Sequence, residues 1–399
     1  MVWAMKNIYF HRDIEKPLAA ALKYFPAVLV TGARQTGKST LLKESLKTYR
    51  YANLDDPALR ALAIQDPRLF LSTHRPPVII DEIQYAPGLL SYIKMEIDEQ
   101  RHLNGQFVLT GSQVFQLMQG VSETLAGRIA VFDLFPFGIT ELPPHLRPAM
   151  KEDLGMAAQL VRGFYPELNV NRKLDRDRWF GSYIATYLER DVRNIKQIAD
   201  LTKFQTFISL LATRAGGLLN MSEIAKEGGI THPTARAWLT ILQSTYIVYL
   251  LQPWHRNISK RVVKTPKLYF TDTGLLGYLL GIDMPERFFK SGEKGRLFEN
   301  MIVMETRKRM SIRSERTNLY FYRTAAGVEV DLLLERGEVF KACEIKLTKT
   351  PDRSMAANLI KFKADHGFSR GMILTLQDSP LPITDTITSL NWQEGLGEL

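Results

Sequence analysis

Nine consecutive residues early in the chain have the types and spacing of a phosphate-binding loop. A glycine is followed by four residues and then by Gly-Lys-Ser, over Gly32, Ala33, Arg34, Gln35, Thr36, Gly37, Lys38, Ser39 and Thr40. The glycines let the backbone turn its amide hydrogens toward an anion, and the following helix adds its positive N-terminal end. In this pattern Lys38 reaches the β- and γ-phosphates and Ser39 holds Mg²⁺. The segment therefore predicts a bound nucleoside triphosphate.

Two carboxylates follow an apolar run further along the chain. Residues 78–80 are Val-Ile-Ile, and Asp81 and Glu82 come directly after them. This is the Walker B pattern, in which Asp81 holds Mg²⁺ through water and Glu82 polarises the water that attacks the γ-phosphate. Hydrolysis, rather than nucleotide binding alone, is the expected activity.

Two further residues are candidates for the same site. Residues 106–112 are predicted to form a third strand, whose polar end from Thr110 to Ser112 is expected beside Asp81. Ser112 is then placed to hydrogen-bond the γ-phosphate or the attacking water. Arg128 is a candidate for stabilising charge on the leaving phosphate, in its own subunit or in a neighbour. A surface position for Arg128 is an equal alternative.

A different chemistry is indicated in the last third of the chain. Glu299 lies in an amphipathic helical segment, Asp331 in a predicted strand, and Glu344 and Lys346 on one face of the next strand. Carboxylates and a lysine so placed bind Mg²⁺ and hold an attacking water. The spacing is that of the PD-(D/E)XK nuclease core, with valine before the aspartate. The alternative is the same fold without cleavage.

The elements that position these residues follow from hydrophobic patterning. Alternating strands and helices from about residue 26 to 140 predict a parallel sheet with helices on both faces. Residues 201–253 predict two helices, a glycine turn and a third helix that begins after Thr231. Strand-like segments at 246–251 and 267–270 complete the pattern of a winged helix-turn-helix.

Charge points to a polyanionic partner. The net charge is +10, and residues 151–280 hold 18 basic and 11 acidic side chains. Residues 254–267 have six basic side chains, counting histidine, and no acidic one. With His232 and Arg236 they are expected to contact the phosphates of DNA. Two alternatives remain open: the basic surface is solvated and has no partner, or this basic segment packs against the first domain.

Composition sets the remaining bounds. The 399 residues are enough for several domains. The single cysteine excludes a disulfide framework and fits a cytoplasmic location. Because there is no apolar run of about 18 residues, no membrane span is expected. The predicted division is an ATPase domain at 1–145, a helical lid or linker at 146–200, a winged helix at 201–275 and a nuclease-like domain at 285–399.

As a whole the chain resembles the prokaryotic AAA+ type ATPases of the archaeal-ATPase-like set, which join an AAA domain to a C-terminal domain of unknown function. The segments that carry the resemblance are residues 32–40, 51–56, 79–84, 109–112, 126–128, 187–193, 269–275, 297–300 and 329–331. The resemblance implies an α/β P-loop NTPase (AAA+) sheet followed by a winged helix-turn-helix and a restriction-endonuclease-like domain. It implies ATP and Mg²⁺ as cofactors.

Two functions remain open from the sequence. In the first, an ATPase couples ATP binding and hydrolysis to action on nucleic acid through the winged-helix and nuclease-like domains. In the second, the chain is a nucleotide-switched regulatory or scaffold protein whose nuclease-like domain is inactive. A homo-oligomer is compatible with both functions.

Overall fold

The computed structural model describes residues 9–111, 121, 124–187, 200–255, 265–313 and 317–399. The chain forms two compact units. The first comprises Met1–Pro143, Tyr165–Arg172 and Ser244–Tyr246, and the second comprises the remainder. The predicted four-part division of the chain, with its first boundary at residue 145, stays a prediction.

The first unit is built on a five-stranded sheet in which every neighbouring pair is parallel. Its strands are β1 (Ala27–Thr31), β2 (Arg50–Asn53), β3 (Val78–Asp81), β4 (Phe107–Gly111) and β5 (Ile129–Asp133), in the order β2-β3-β4-β1-β5. The helices among them are α1 (Glu15–Tyr24), α2 (Lys38–Ser45), α3 (Pro57–Gln65), α4 (Pro67–Thr73) and α5 (Leu89–Glu99). The predicted parallel sheet is confirmed. Its strands β1 and β3 are fully buried runs because helices cover them.

The described helices after residue 150 lie mostly in the second unit. They are α6 (Asp153–Arg162), α7 (Pro166–Val170, part of the first unit), α8 (Arg176–Tyr187), α9 (Leu201–Thr213), α10 (Met221–Glu227), α11 (His232–Ser244), α12 (Thr273–Leu279), α13 (Pro285–Lys290), α14 (Lys294–Ile312), α15 (Ala357–His366) and α16 (Trp392–Glu398). Helices α9 to α11 occupy the three predicted positions. The amide of Thr234 donates to the Thr231 hydroxyl at 3.3 Å, as an N-cap predicts.

The second unit contains an eight-stranded mixed sheet. Its strands are β6 (Val248–Pro253), β7 (Lys267–Phe270), β8 (Asn318–Arg323), β9 (Glu329–Arg336), β10 (Val339–Ile345), β11 (Arg370–Thr375), β12 (Leu381–Thr384) and β13 (Ile387–Asn391). The order is β12-β13-β11-β10-β9-β8-β6-β7. Strands β8, β9 and β10 are antiparallel, and β11 returns parallel to β10 after α15.

Strands β6 and β7 pair antiparallel, as a wing would, but they also extend the larger sheet. Gln252 and Pro253 pair with Tyr320 and Phe321 of β8. The strand predicted at 246–251 begins only at Val248, because Tyr246 has φ 57°, which is incompatible with a strand. Sequence patterning did not predict this joining of sheet segments.

Candidate functional site

The loop between β1 and α2 contains three positions with positive φ. These are Gly32 at 147°, Gln35 at 62° and Gly37 at 89°. A Cβ added to Gly32 would lie 2.1 Å from the carbonyl oxygen of Leu134, so the position requires glycine. The loop runs directly into α2, which begins at Lys38. A tightly curved loop that ends in a helix N-terminus fits a phosphate group.

Lys38 is buried against this loop. Its ammonium group donates to the carbonyl oxygens of Gly32 at 3.0 Å and Ala33 at 2.9 Å. The hydroxyl of Thr36 donates to the Ala33 carbonyl at 2.9 Å, so the loop is held by its own side chains. Of the other predicted loop residues, Arg34 and Ser39 are half-buried, and Gln35 and Thr40 are exposed.

A buried arginine from outside the motif also holds the loop. Arg12 is 6% exposed, and its guanidinium donates to the carbonyl oxygens of Thr36 at 2.9 Å and Phe135 at 2.8 Å. It also donates to the carboxylate of Glu141 at 3.1 Å. Sequence reasoning missed this pair, because Arg12 and Glu141 belong to no motif and lie far apart in the chain.

Asp81 lies at the carboxyl end of β3, and the phosphate-binding loop follows the carboxyl end of β1. Both strands flank β4 in a parallel sheet, so the two features meet the same edge of the sheet. The buried Asp81 carboxylate accepts hydrogen bonds from the Tyr51 phenol and the Thr110 hydroxyl. The predicted position of Thr110 beside Asp81 is confirmed.

Glu82 begins the turn that follows β3. Its backbone is left-handed, with φ 59° and ψ 46°, and its amide donates to the Thr110 hydroxyl at 3.0 Å. The side-chain amide of Gln84 donates to the half-buried Glu82 carboxylate. A left-handed non-glycine residue costs about 1–3 kcal/mol, and such positions cluster at functional sites. Glu82 thus stands at the sheet edge with a fixed backbone and an oriented carboxylate.

The other two candidates for this site have different outcomes. Ser112 lies outside the described residues. Arg128 precedes β5 and forms a two-point ion pair with Asp98, with distances of 2.7 and 3.2 Å. Because β5 runs parallel to β1, Arg128 lies at the amino ends of these strands, whereas Lys38 lies beyond their carboxyl ends. The two residues are therefore about 15 Å apart along the strand direction. The structure therefore does not bring Arg128 to the site within its own chain.

Tyr51 also lies at this edge of the sheet, although the sequence analysis gave it no role. Its phenol donates to Asp81 and lies against the hydroxyl of Ser39, so it joins the two residues predicted to hold Mg²⁺. Burial and the Asp81 carboxylate raise the pKa of Tyr51, which keeps the phenol protonated. Tyr51 is therefore a positioning residue for both side chains.

We expect Tyr51→Phe to weaken Mg²⁺-dependent ATP binding by about 10–100-fold, the usual cost of removing a group that orients a metal ligand. Calorimetric titration of ATP at several Mg²⁺ concentrations measures this change. Tyr49→Phe is the matched control, since the Tyr49 phenol donates to the Gly105 carbonyl at 2.8 Å, away from Asp81. Unchanged Mg²⁺ dependence in Tyr51→Phe would contradict the assignment.

In the second unit, the structure brings together the four residues predicted as a nuclease-like site. Glu299 lies on α14, Asp331 on β9, and Glu344 near the end of β10, with Lys346 just after it. The Lys346 ammonium is 2.6 Å from the Glu344 carboxylate and 3.2 Å from that of Asp331. The Ile345 amide also donates to Asp331, at 2.9 Å.

Lys267 of β7 lies among the same carboxylates. Its ammonium is 3.1 Å from Glu299, 2.6 Å from Glu329 and 3.6 Å from Asp331, and the residue is 3% exposed. The prediction that Lys267 contacts phosphates with the rest of the basic segment 254–267 is therefore wrong, because β7 buries it. Residues 256–264 of that segment lie outside the described residues.

The carboxylates of this cluster have perturbed pKa values. Burial, and then the charge of Asp331, raise the pKa of Glu299 and raise that of Glu344 to about 8. Burial opposes ionisation of Asp331 as well, but the ammonium groups of Lys267 and Lys346 hold its pKa below the ordinary value. Of Glu299, Asp331 and Glu344, Asp331 is therefore the carboxylate whose ionised form the cluster favours.

This arrangement does not fit a metal ion as it stands. In the part of the chain that the structure describes, no group of three or more His, Cys, Asp or Glu side chains is placed to hold one. The carboxylates converge instead on the Lys267 ammonium. This geometry therefore lends no support to the metal role predicted for Glu299, Asp331 and Glu344.

Comparison with known proteins divides the chain in three. Residues 24–142 match an AAA domain, residues 155–286 match a domain of unknown function, and residues 294–394 match another domain of unknown function. The uncharacterized proteins Mb2031c of Mycobacterium bovis and Rv2008c of Mycobacterium tuberculosis are each 30% identical over 95% of this chain and 83% of their own length. The uncharacterized protein MJ1544 of Methanocaldococcus jannaschii is 23% identical over 85% of this chain and 78% of its own.

Among solved structures, the Walker-type ATPase PABY2304 of Pyrococcus abyssi aligns with 68% of this chain and 96% of its own, at 17% identity and a TM-score of 0.45. The match of residues 24–142 to the AAA domain shows that the first unit contains an AAA-type P-loop ATPase domain. Within the described residues, we find no helix with the length and apolar character needed to cross a membrane.

Proposed function

Because the chain belongs to the family of AAA-domain proteins that includes the uncharacterized mycobacterial proteins Mb2031c and Rv2008c, we propose that it is a Mg²⁺-dependent ATPase of the AAA+ class. The observation that carries this proposal is the shared edge of the first sheet. The phosphate-binding loop, the buried Asp81 and the oriented Glu82 all lie there. No other described part of the first unit combines these elements.

Each residue at this edge has a distinct role in the proposal. The loop at 32–37 and Lys38 bind the phosphates, and Ser39 and Asp81 would hold Mg²⁺, which supplies charge neutralisation at the phosphates when bound. Glu82 accepts a proton from the attacking water as general base. Thr110 and Tyr51 orient the Asp81 carboxylate through the hydrogen bonds they donate. Arg128 remains a proposal only for a neighbouring subunit in an oligomer.

We further propose that the second unit couples nucleotide binding to nucleic acid. Helices α9 to α11 followed by the antiparallel pair β6 and β7 support a winged helix-turn-helix, and Arg236 is exposed on α11. The excess of basic side chains in residues 151–280 supports a polyanion as partner. The predicted division of the later part of the chain into a lid or linker, a winged helix and a nuclease-like domain is part of this proposal.

Fluorescence anisotropy with a labelled DNA duplex tests the coupling. We expect binding at low salt that weakens steeply between about 50 and 200 mM salt, and an affinity that changes when ATP is added. Lys38→Ala should keep DNA binding and lose the effect of ATP, because only the nucleotide site is altered. Absence of DNA binding at low salt, with and without ATP, would refute the coupling and leave the ATPase proposal standing.

A second candidate is a nucleotide-switched scaffold whose nuclease-like domain does not cut. The Lys267 ammonium among the carboxylates favours it, because catalytic metal needs those oxygens. A nuclease assay with added Mg²⁺ or Mn²⁺ separates the two functions. Metal-dependent cleavage that Asp331→Ala abolishes would establish the first, and equal inactivity of both chains the second.

A further inference from the structure

The acidic cluster of the second unit is organised around a buried lysine from a strand outside the predicted nuclease-like core. Carboxylates from two elements approach the Lys267 ammonium, Glu299 from α14 and both Glu329 and Asp331 from β9. The residue is 3% exposed. A buried ammonium is retained only when several acceptors surround it, and this one has three carboxylates within 3.6 Å.

Neighbouring groups hold this arrangement in place. The Tyr269 phenol, also on β7, donates to the Glu299 carboxylate at 2.6 Å, and the Arg323 guanidinium pairs with Glu329 at 2.8 Å. On the other side of Asp331, the Lys346 ammonium binds both Asp331 and Glu344. The cluster is therefore an ordered ionic network, and not a loose patch of surface acids.

Glu344 is held from two sides in the network. The residue is 2% exposed, and its Oε2 atom accepts from the Lys346 ammonium at 2.6 Å. Its side chain also shares a hydrogen bond with Asp331, so the two carboxyl groups lie against each other. Divalent cations such as Mg²⁺ and Mn²⁺ take carboxylate oxygens of this kind as ligands. In this structure, however, the cation that the carboxylates of the cluster hold is the Lys267 ammonium group.

We infer that Lys267 is a built-in cation that takes the place of a divalent metal ion in this cluster, and that removing its side chain uncovers a metal site. The ammonium occupies the oxygens of Glu299, Glu329 and Asp331 and repels a second cation in a buried, weakly screened environment. The unaltered cluster is then closed to metal. This inference is independent of ATP hydrolysis and deepens the second candidate function.

Mn²⁺ binding by the full-length chain tests the inference. Asp81→Asn serves as the background in every variant and no nucleotide is added, so the ATPase site contributes no metal ligand from Asp81. We expect this background to show no Mn²⁺ site in calorimetry or electron paramagnetic resonance. Adding Lys267→Ala should create one Mn²⁺ site, with an affinity at least about tenfold tighter than any residual Mn²⁺ binding by the background chain. Mn²⁺ should also raise the melting temperature of the Lys267→Ala variant.

Two controls make the result specific. Lys349→Ala removes an exposed lysine of the same unit, paired with Asp153 at 2.8 Å, and should create no Mn²⁺ site. Adding Asp331→Asn to the Lys267→Ala chain should abolish the new site, because Asp331 is the central carboxylate. If Lys267→Ala does not fold, Lys267→Gln replaces it, since glutamine keeps a hydrogen-bond donor and loses the charge.

Two results would overturn the inference. The first is Mn²⁺ binding by the background chain with Lys267 intact, lost on adding Asp331→Asn. The second is a folded Lys267→Ala or Lys267→Gln chain that gains no Mn²⁺ site. Neither result bears on the ATPase proposal, because every chain in the series lacks the carboxylate of Asp81.

Discussion

Glu82→Gln is expected to bind ATP as the unaltered chain does and to lose turnover by about 10²–10⁴-fold, the range that a general base contributes. Glutamine keeps the size and the hydrogen-bonding shape of the side chain but accepts no proton. The left-handed backbone at Glu82 and the hydrogen bond from Gln84 place this carboxylate and should survive the substitution. Phosphate release measures turnover, and calorimetry with ATP and Mg²⁺ measures binding.

Two further variants serve as controls for Glu82→Gln. Glu99→Gln removes an exposed carboxylate at the end of α5 and should leave both measurements unchanged. Lys38→Ala should weaken nucleotide binding itself, because it removes the cation that the loop presents to the phosphates. Normal turnover by Glu82→Gln would show that another group activates the water and would withdraw the base assignment.

Local patterns were enough to predict the first sheet and the candidate functional residues at one of its edges. The phosphate-binding loop and the acidic end of β3 are short segments in which residue type dictates backbone shape and chemistry together. Strands such as Ala27–Thr31 and Val78–Asp81 are buried on both faces and are therefore mostly apolar. Buried parallel strands of this kind can be predicted from residue composition alone. The structure places these segments at one edge because parallel neighbours end together.

Contacts between distant segments could not be predicted in the same way. Lys267 looks like one more cation in a basic segment, and nothing near it in sequence indicates the carboxylates of Glu299 and Asp331. Tyr51 and Asp81 likewise meet only because β2 pairs with β3. Arg128 was a candidate for stabilising charge on the leaving phosphate, but it precedes the amino end of β5, whereas Lys38 follows the carboxyl end of β1. Patterns of residue type report local backbone and say little about which side chains meet.

The second prediction of large effect concerns the support of the phosphate-binding loop. Arg12→Ala should lower the free energy of unfolding of the first unit by about 3–5 kcal/mol, because it leaves the buried Glu141 carboxylate without its cation. It should also weaken ATP binding, since the guanidinium no longer holds the Thr36 carbonyl. Urea unfolding followed by a probe in the first unit measures the stability, and calorimetry measures the binding.

Lys47→Ala is the matched control, because Lys47 forms an ion pair with Glu44 in which the two side chains are 73% and 43% exposed. Such a surface pair contributes at most about 1 kcal/mol. Adding Glu141→Leu to Arg12→Ala should recover part of the lost stability, since an apolar side chain carries no unpaired charge, but it should not restore ATP binding. An Arg12→Ala chain as stable as Lys47→Ala would mean that the loop keeps its curvature without the guanidinium, and the glycines alone would then account for its shape.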